Sequence, residues 1–432
     1  MNPEVTQIPD QTNSSNPEVG GNWRARFWTI WLGQAFSLIG SALTQFVLVW
    51  WITQTTNSAT ALATAGIAGL LPQALLSPLG GTLADRYSRR IIMIVTDTIT
   101  ALCMVVLVIL FSSKSIQLWH IYTLMFVRSS MQAFQSPAAS ASTAMLVPKD
   151  WLPRVAGMNQ SLQGIMTIAA APLGALALAW MPLERALLID VATALLGVVP
   201  LLFYAVPQIR NANPNSSMWT DFREGLRFVR GNPGLVKLYG MLALVILTIF
   251  PTFSLLPLLV KTHFQGGINQ VALLEGLSGI GMIVGGVLIS VWPPRNKILV
   301  LLISFAVSCG TVALTALAPG NLLWLAVVWW VLSGVTFSTG NAPMMAIMQT
   351  VVPNQMQGRT TSLMNTIMGF AGPIGLAITG PLGESCGVRS VFIWGGAVSA
   401  VICLLGLFSR DLMGIEGGRE KGKLKPRASK SS

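Results

Sequence analysis

Charge is scarce in this chain. Of its 432 residues only 10% are Asp, Glu, Lys or Arg and 53% are hydrophobic, whereas a soluble domain carries roughly 25% charged residues. That shortage excludes an ordinary water-soluble globular protein. Histidine is scarcer still: His120 and His263 are the two in the sequence, and each stands alone. The four cysteines, Cys103, Cys309, Cys386 and Cys403, form no Cys-x-x-Cys or Cys/His cluster, so neither a metal centre nor a redox cofactor is expected. No Gly-x-x-x-x-Gly-Lys-Ser/Thr segment occurs, which argues against a phosphate-driven pump. Two isolated histidines and scattered carboxylates also do not make the nucleophile-and-base cluster of an enzyme.

Long apolar runs are abundant. A bilayer core about 30 Å thick requires roughly 20 apolar residues per spanning helix. Twelve such spans can be drawn, at 27–52, 60–83, 91–112, 117–138, 155–180, 186–206, 235–260, 270–292, 298–318, 322–347, 361–383 and 389–409. Gly, Pro, Asn and Gln interrupt the fifth, tenth and eleventh. The polar opening "MNPEVTQIPDQTNSSNPEVGGN" has no apolar core of the kind a cleaved signal requires, so the first span is expected to be retained. The expected fold is an all-α membrane protein.

Orientation follows from Lys and Arg. With both termini in the cytoplasm, inside segments hold 22 of the 27 basic residues; outside loops hold Lys114, Arg185, Lys261 and Arg389, and Arg128 lies within a span. This asymmetry predicts a multi-pass protein of the cell (inner) membrane with both termini cytoplasmic. The net charge of +12 is then an orientation and lipid-surface signal, and no nucleic-acid partner is expected.

The chain contains itself twice. An offset of 205 places Gly81-Thr-Leu83 on Gly286-Val-Leu288, Val147-Pro148 on Val352-Pro353, and Arg154 on Arg359. Internal repeats of this kind mark transporter architecture. The expected organisation is a cytoplasmic tail (1–26), a six-helix bundle (27–206), a linker (207–234), a second pseudo-symmetric six-helix bundle (235–410) and a basic cytoplasmic tail (411–432). In the linker, Met218, Trp219, Phe222, Leu226 and Val229 share one helical arc flanked by Arg223, Arg227 and Arg230, as in a helix lying on a membrane surface.

The loop "GGTLADRYSRR" between the second and third spans resembles a signature of the major facilitator superfamily, with Gly81, Leu83, Ala84, Asp85, Arg86, Arg89 and Arg90 in place and Ser88 where a second glycine is usual. Segments such as "LLPQALLSPLGGTLADRYSRR", "SPAASASTAMLVP" and "DFREGLRFVRGNP" resemble the drug-exporter branch that includes macrolide efflux proteins. The resemblance implies two bundles rocking about a central cavity, with this loop latching the cytoplasmic side. Asp85 would accept hydrogen bonds from the start of the eleventh span, near Thr360 to Ser362, where free N–H groups carry partial positive charge. Arg86, Arg89 and Arg90 would pair with carboxylates or lipid phosphates, and Gly81 would allow close helix approach. The second copy, "GGVLISVWPPRNK", has Ser290 in place of Asp85, so the halves should not be equivalent.

Ionisable residues inside the spans are few, and each is a candidate functional group. Arg128 lies halfway along the fourth span and needs a partner or water; Asp97 in the third is the expected neighbour within the first half, or else belongs to the latch network below. Glu275 and Asp190, near outer helix ends, complete the proton-coupling candidates. "RSSMQAF" loosely resembles a family motif whose arginine is associated with proton transfer. Gln34, Ser37, Ser41 and Gln45 recur on one face of the first span, either lining a cavity or bonding helix to helix, and Arg128, Gln132 and Gln135 share one face of the fourth, with Gln132 and Gln135 as further cavity-lining candidates. Pro172, Gly372 and Pro373 are retained from a helix-packing motif of family exporters.

The function expected from the resemblance is secondary active export of amphipathic small molecules, multidrug or macrolide-like, by proton antiport. Its partners would be a small-molecule substrate, protons and membrane lipids, with the monomer as the working unit. A siderophore or metabolite exporter, and a non-transporting receptor or lipid scramblase, are the alternatives.

Overall fold

The computed structural model describes residues 22–204 and 218–416, with the side chains of Asp85, Ala144, Lys149, Met218 to Asp221 and Asn354 outside that description. The described residues form helices and connecting loops, with no strand. The first half holds α1 (Trp23–Thr56), α2 (Ala59–Arg86), α3 (Arg89–Ser112), α4 (Leu118–Met145), α5 (Leu152–Trp180) and α6 (Leu183–Phe203). A short α7 (Met218–Arg230) follows, and then α8 (Pro233–His263), α9 (Ile268–Val291), α10 (Lys297–Leu317), α11 (Leu323–Val351), α12 (Asn354–Cys386), α13 (Val388–Leu407) and the single turn α14 (Arg410–Met413).

Eleven of these helices are long and apolar enough to cross a membrane. The exception among the twelve expected spans is α4, which is 28 residues long but carries the polar run Arg128-Ser-Ser-Met-Gln. Its polar side is enclosed by protein: Gln135 meets α1 and α3, and Arg128 meets α6. Hydropathy therefore undervalues a helix whose polar groups find partners inside the bundle.

Local sequence sets the helix ends. Asn57 adopts a left-handed conformation (φ 50°) that ends α1, and the Ser58 side chain then caps α2 by accepting from the Ala61 N–H at 3.1 Å. The α1–α2 reversal is thereby made in two residues. At α8 the Asn232 side chain accepts from the N–H groups of Gly234 (3.1 Å) and Leu235 (3.3 Å), with Pro233 opening the helix.

Two peripheral pieces dock on the second half. Of the apolar arc of α7, Val229 is buried in that half's core, Leu226 is partly buried and packs against it, and Phe222 is exposed; Met218 and Trp219 have side chains outside the described set. Gly225 brings α7 against the Arg359 backbone, where a Cβ would lie 3.1 Å from its carbonyl oxygen, and Glu224 pairs with the Arg359 guanidinium. Residues 411–416 are likewise packed down: Leu412 and Ile415 are buried, Asp411 pairs with Lys237 at 2.6 Å, and Glu416 accepts from the Ile298 N–H at 2.9 Å. The apolar side chains of Leu412 and Ile415 hold this start of the expected tail against the bundle.

Candidate functional site

The two halves meet mainly through α2 with α12 and α5 with α9, with smaller contacts of α8 on α1 and α2. At the end where α1 passes into α2 they are fastened. Lys261 Nζ, at the last turn of α8, donates to the carbonyls of Thr53 (3.1 Å) and Gln54 (2.9 Å) at the end of α1. Glu384 of α12 accepts from the Ser58 hydroxyl and from the Thr60 N–H (3.1 Å) at the start of α2. A cation thus sits on the carbonyl end of one helix and an anion on the N–H end of the next, each opposite the helix-end charge that favours it. On the same seam α9 presses on α5, and a Cβ at Gly279 would lie 2.3 Å from the Ile168 side chain.

The opposite end is open. A cavity of about 970 Å³ lies between the later turns of α2 and α4 and the first turns of α12, lined by Gln73, Thr82, Ser136, Gln357, Thr361 and Asn365 among others. Gly81 and Ser362 are on its wall, on opposite halves. An added Cβ at Gly81 would meet nothing within 4 Å, whereas at Gly80 it would strike the Ala133 carbonyl oxygen at 2.0 Å. In this conformation Gly80, on the face toward α4, is the position of close helix approach, because the gap lies on the Gly81 side.

The loop arginines serve their own half. Arg89 is buried, with Nε donating to the Ala84 carbonyl (3.1 Å) and Nη1 to that of Ala141 (3.3 Å). Arg90 caps the end of α6 through the carbonyls of Leu201 and Leu202. Arg86 is exposed, and the side chain of Asp85 lies outside the described residues. Ser290, which replaces Asp85 in the second copy, donates to the Gly286 carbonyl of its own helix at 2.7 Å.

Deeper in the first half, charge is collected in one network. Arg128 Nη2 pairs with Asp190 Oδ2 at 3.0 Å, the two side chains being 10% and 1% exposed. Ser41 donates to Asp190 Oδ1 at 2.8 Å and Thr44 to Oδ2 at 3.0 Å. The partner of Arg128 is therefore Asp190, not Asp97. Asp97 is buried and accepts instead from the Gln34 amide at 2.9 Å; Gln34 in turn accepts from Gln135 (2.7 Å), whose carbonyl oxygen meets the Thr96 hydroxyl (2.7 Å). Two donors on Arg128, Nε and Nη1, have no hydrogen-bond partner among the described residues.

Gln34, Ser37, Ser41, Asp97, Gln132 and Gln135 converge on a space of about 20 Å³, room for about one water molecule. An adjoining pocket of about 140 Å³, lined by Gln34, Gln132 and Gln135, shares Ser136 and Ser140 with the large cavity. The helix-one face and the helix-four face of the sequence reading thus meet, except that Gln45 lies higher, beside Gly69 of α2. Glu275 is partly buried on α9 near the seam with α5 and has no hydrogen-bond partner among the described residues. Of the packing motif, Pro172 lies against Gly276 across that seam, Gly372 faces Phe250, and Pro373 is buried within α12. Thr44, Thr96 and Glu384 were not singled out by sequence, and Lys261 entered only as an outside-loop charge. Among the described residues no group of three or more His, Cys, Asp or Glu side chains is placed to hold a metal ion.

Two helical bundles fastened at one end, parted at the other, and enclosing a polar network that reaches the opening define a secondary transporter. The chain belongs to the major facilitator superfamily, whose family model matches residues 30–376. It is 31% identical over 388 residues to macrolide efflux protein A of Streptococcus pyogenes, covering 89% of this chain and 95% of that one. It is 23% identical to the multidrug efflux pump Tap of Mycolicibacterium fortuitum, over 85% and 91% of the respective chains. In fold it is similar to the crystal structure of the nucleoside transporter NupG, with a TM-score of 0.66 at 16% identity over 90% of this chain and 98% of that one.

Proposed function

We propose that this transporter exports amphipathic drugs of the macrolide or multidrug type in exchange for protons, working as a monomer in the cell membrane. The relatives' names support the cargo, and the buried network of Arg128, Asp190 and Asp97 carries the coupling. In this reading the open end, with the basic loop between α2 and α3, faces the cytoplasm, and the Lys261 and Glu384 contacts close the outer face.

The two carboxylates differ in what a proton would do to them. Protonating Asp190 would leave Arg128 a lone buried cation, which is costly in an apolar interior. Protonating Asp97 removes a charge that has no cation beside it among the described residues, its hydrogen-bond donor being the Gln34 amide. Asp97 is therefore the carrier and Arg128 with Asp190 the fixed reference charge. A proton arriving through the space between Ser41, Gln132 and Asp97 neutralises the carboxylate, and drug entering from the cytoplasm displaces it toward the side with fewer protons.

The first test is uptake by inside-out vesicles of a panel of macrolides, other drugs and metabolites, with and without a proton gradient. Accumulation of drugs that collapses with the gradient is expected. Accumulation of metabolites alone would change the cargo, and uptake indifferent to the gradient would sink the antiport.

Closing the cytoplasmic side must bring the Asp85 loop to the first turns of α12, which now stand across the cavity. Asp85→Asn is expected to lower transport at least tenfold at matched expression, while Ser290→Ala, whose hydroxyl is spent within α9, stays within about twofold of the parent. Equal activities in the two variants, measured as initial uptake rates, would contradict the latch.

A further inference from the structure

The duplication places two pockets at equivalent positions, and they are chemically opposite. Ser37, Ser41, Thr100 and Gln132 line the 20 Å³ space of the first half. At the repeat offset of 205 these positions are Leu242, Ile246, Phe305 and Phe337, and all four line a pocket of about 150 Å³ in the second half. The equivalents of Asp97, Arg128 and Asp190 are Leu302, Ser333 and Gly395. One copy thus keeps the charges, interlocked by hydrogen bonds until little space is left. The other has lost every charge and kept the space.

The second pocket is built for apolar matter. Phe305 and Phe337 stack at 5.8 Å with an 18° angle between their rings, and Phe253, which packs on Trp330 at 5.4 Å, lines the same space with Met344, Met364 and Met368. Gly340 holds Phe305 close, since a Cβ there would lie 2.6 Å from the ring. Thioether side chains adapt to differing shapes, as a site of broad acceptance needs. Ser308 also lines it, with its hydroxyl engaged by the carbonyl and hydroxyl of Ser333 at 3.0 and 3.1 Å. Asn341 also lines the pocket, is partly buried, and has no hydrogen-bond partner among the described residues.

We propose that this pocket is the subsite for the apolar part of the transported solute. Its volume suits one benzene-sized aryl or branched alkyl group, since an apolar cavity of about 150 Å³ stays dry and takes up benzene. The Asn341 amide then hydrogen-bonds a polar group on the solute next to that apolar arm. The inference rests on the export reading and adds the part of the solute that the second half selects, leaving charge and proton handling to the first half.

The test is uptake of erythromycin and of tetraphenylphosphonium by inside-out vesicles carrying the full chain, wild type or with Ile249→Trp, which fills the pocket from α8. The variant is expected to raise the apparent KM at least tenfold for a probe that wild type transports, with the maximal rate kept within about twofold. Asn341→Ala, which adds no bulk, should raise the KM for erythromycin about threefold or more. Wild-type uptake with a KM unchanged in both variants would overturn the subsite alone. Uptake of neither probe by wild type would overturn the export reading, and this inference with it. Should Ile249→Trp fail to fold, crystals of the wild type under xenon decide: a xenon peak among Phe305, Phe337 and Met364 is expected, and its absence would overturn the pocket.

Discussion

Asp190→Asn will be among the most damaging single substitutions in the first half. It leaves the Arg128 guanidinium, 10% exposed and already with two donors unpartnered among the described residues, without its counter-charge. Removing one member of a buried ion pair costs about 3–5 kcal/mol, because the remaining charge stays buried and uncompensated. Asparagine preserves the shape, but its single amide oxygen can accept from only one of Ser41 and Thr44, so a second variant is needed to separate the charge from the lost hydrogen bond. Arg128→Gln combined with Asp190→Asn removes both charges and should recover at least half of the lost stability, while gradient-driven transport stays absent. Thermal unfolding in detergent reads the first quantity and vesicle uptake the second. A double variant as unstable as the single one would mean that the pair is not what Asp190 supplies.

The fastening at the α1–α2 end predicts the second large effect. Lys261 and Glu384 each sit at a helix end of opposite charge, and such contacts contribute about 0.3–1 kcal/mol apiece when exposed. Removing both with Lys261→Ala and Glu384→Gln should shift the balance of conformations by about 0.6–2 kcal/mol, roughly three- to thirtyfold, toward opening at that end. A spin label on the native Cys386, which is exposed, paired with one at Thr55→Cys, makes this visible. Electron double resonance should give a single short distance in the parent and a second, longer population in the double variant. An unchanged distribution would show that helix packing, such as Gly279 against Ile168, closes this end without the charges.

Much of the architecture was legible in the sequence because the membrane allows few solutions: runs of about 20 apolar residues must become helices. The family signature at Gly81 to Arg90 was legible for the same reason that it is short and charged between apolar runs. What sequence misjudged was the partner of Arg128. Asp190 is near a helix end in sequence, yet counting at about 1.5 Å per residue puts it about 10 Å along α6, Arg128 about 15 Å along the parallel α4, and Asp97 about 22 Å from the same face. Depth, which periodicity ignores, brings Arg128 closer to Asp190. The Lys261 and Glu384 contacts were illegible for another reason. Each joins a side chain to a backbone end of the other half, and nothing in either local stretch records which helix end will lie opposite. The apolar pocket was half visible: its aromatic and methionine residues could be counted, but only the repeat offset applied to a structure separates them from residues that face lipid.

Proton counting with Asp97→Asn tests the central claim most directly. In proteoliposomes holding the purified full chain, the parent should accumulate drug against a gradient with measurable proton movement in the opposite direction. The variant should still exchange labelled for unlabelled drug across the membrane, because the cavity and both gates remain, but it should neither accumulate drug nor move protons. Gradient-driven accumulation by Asp97→Asn at the parental level would contradict the account.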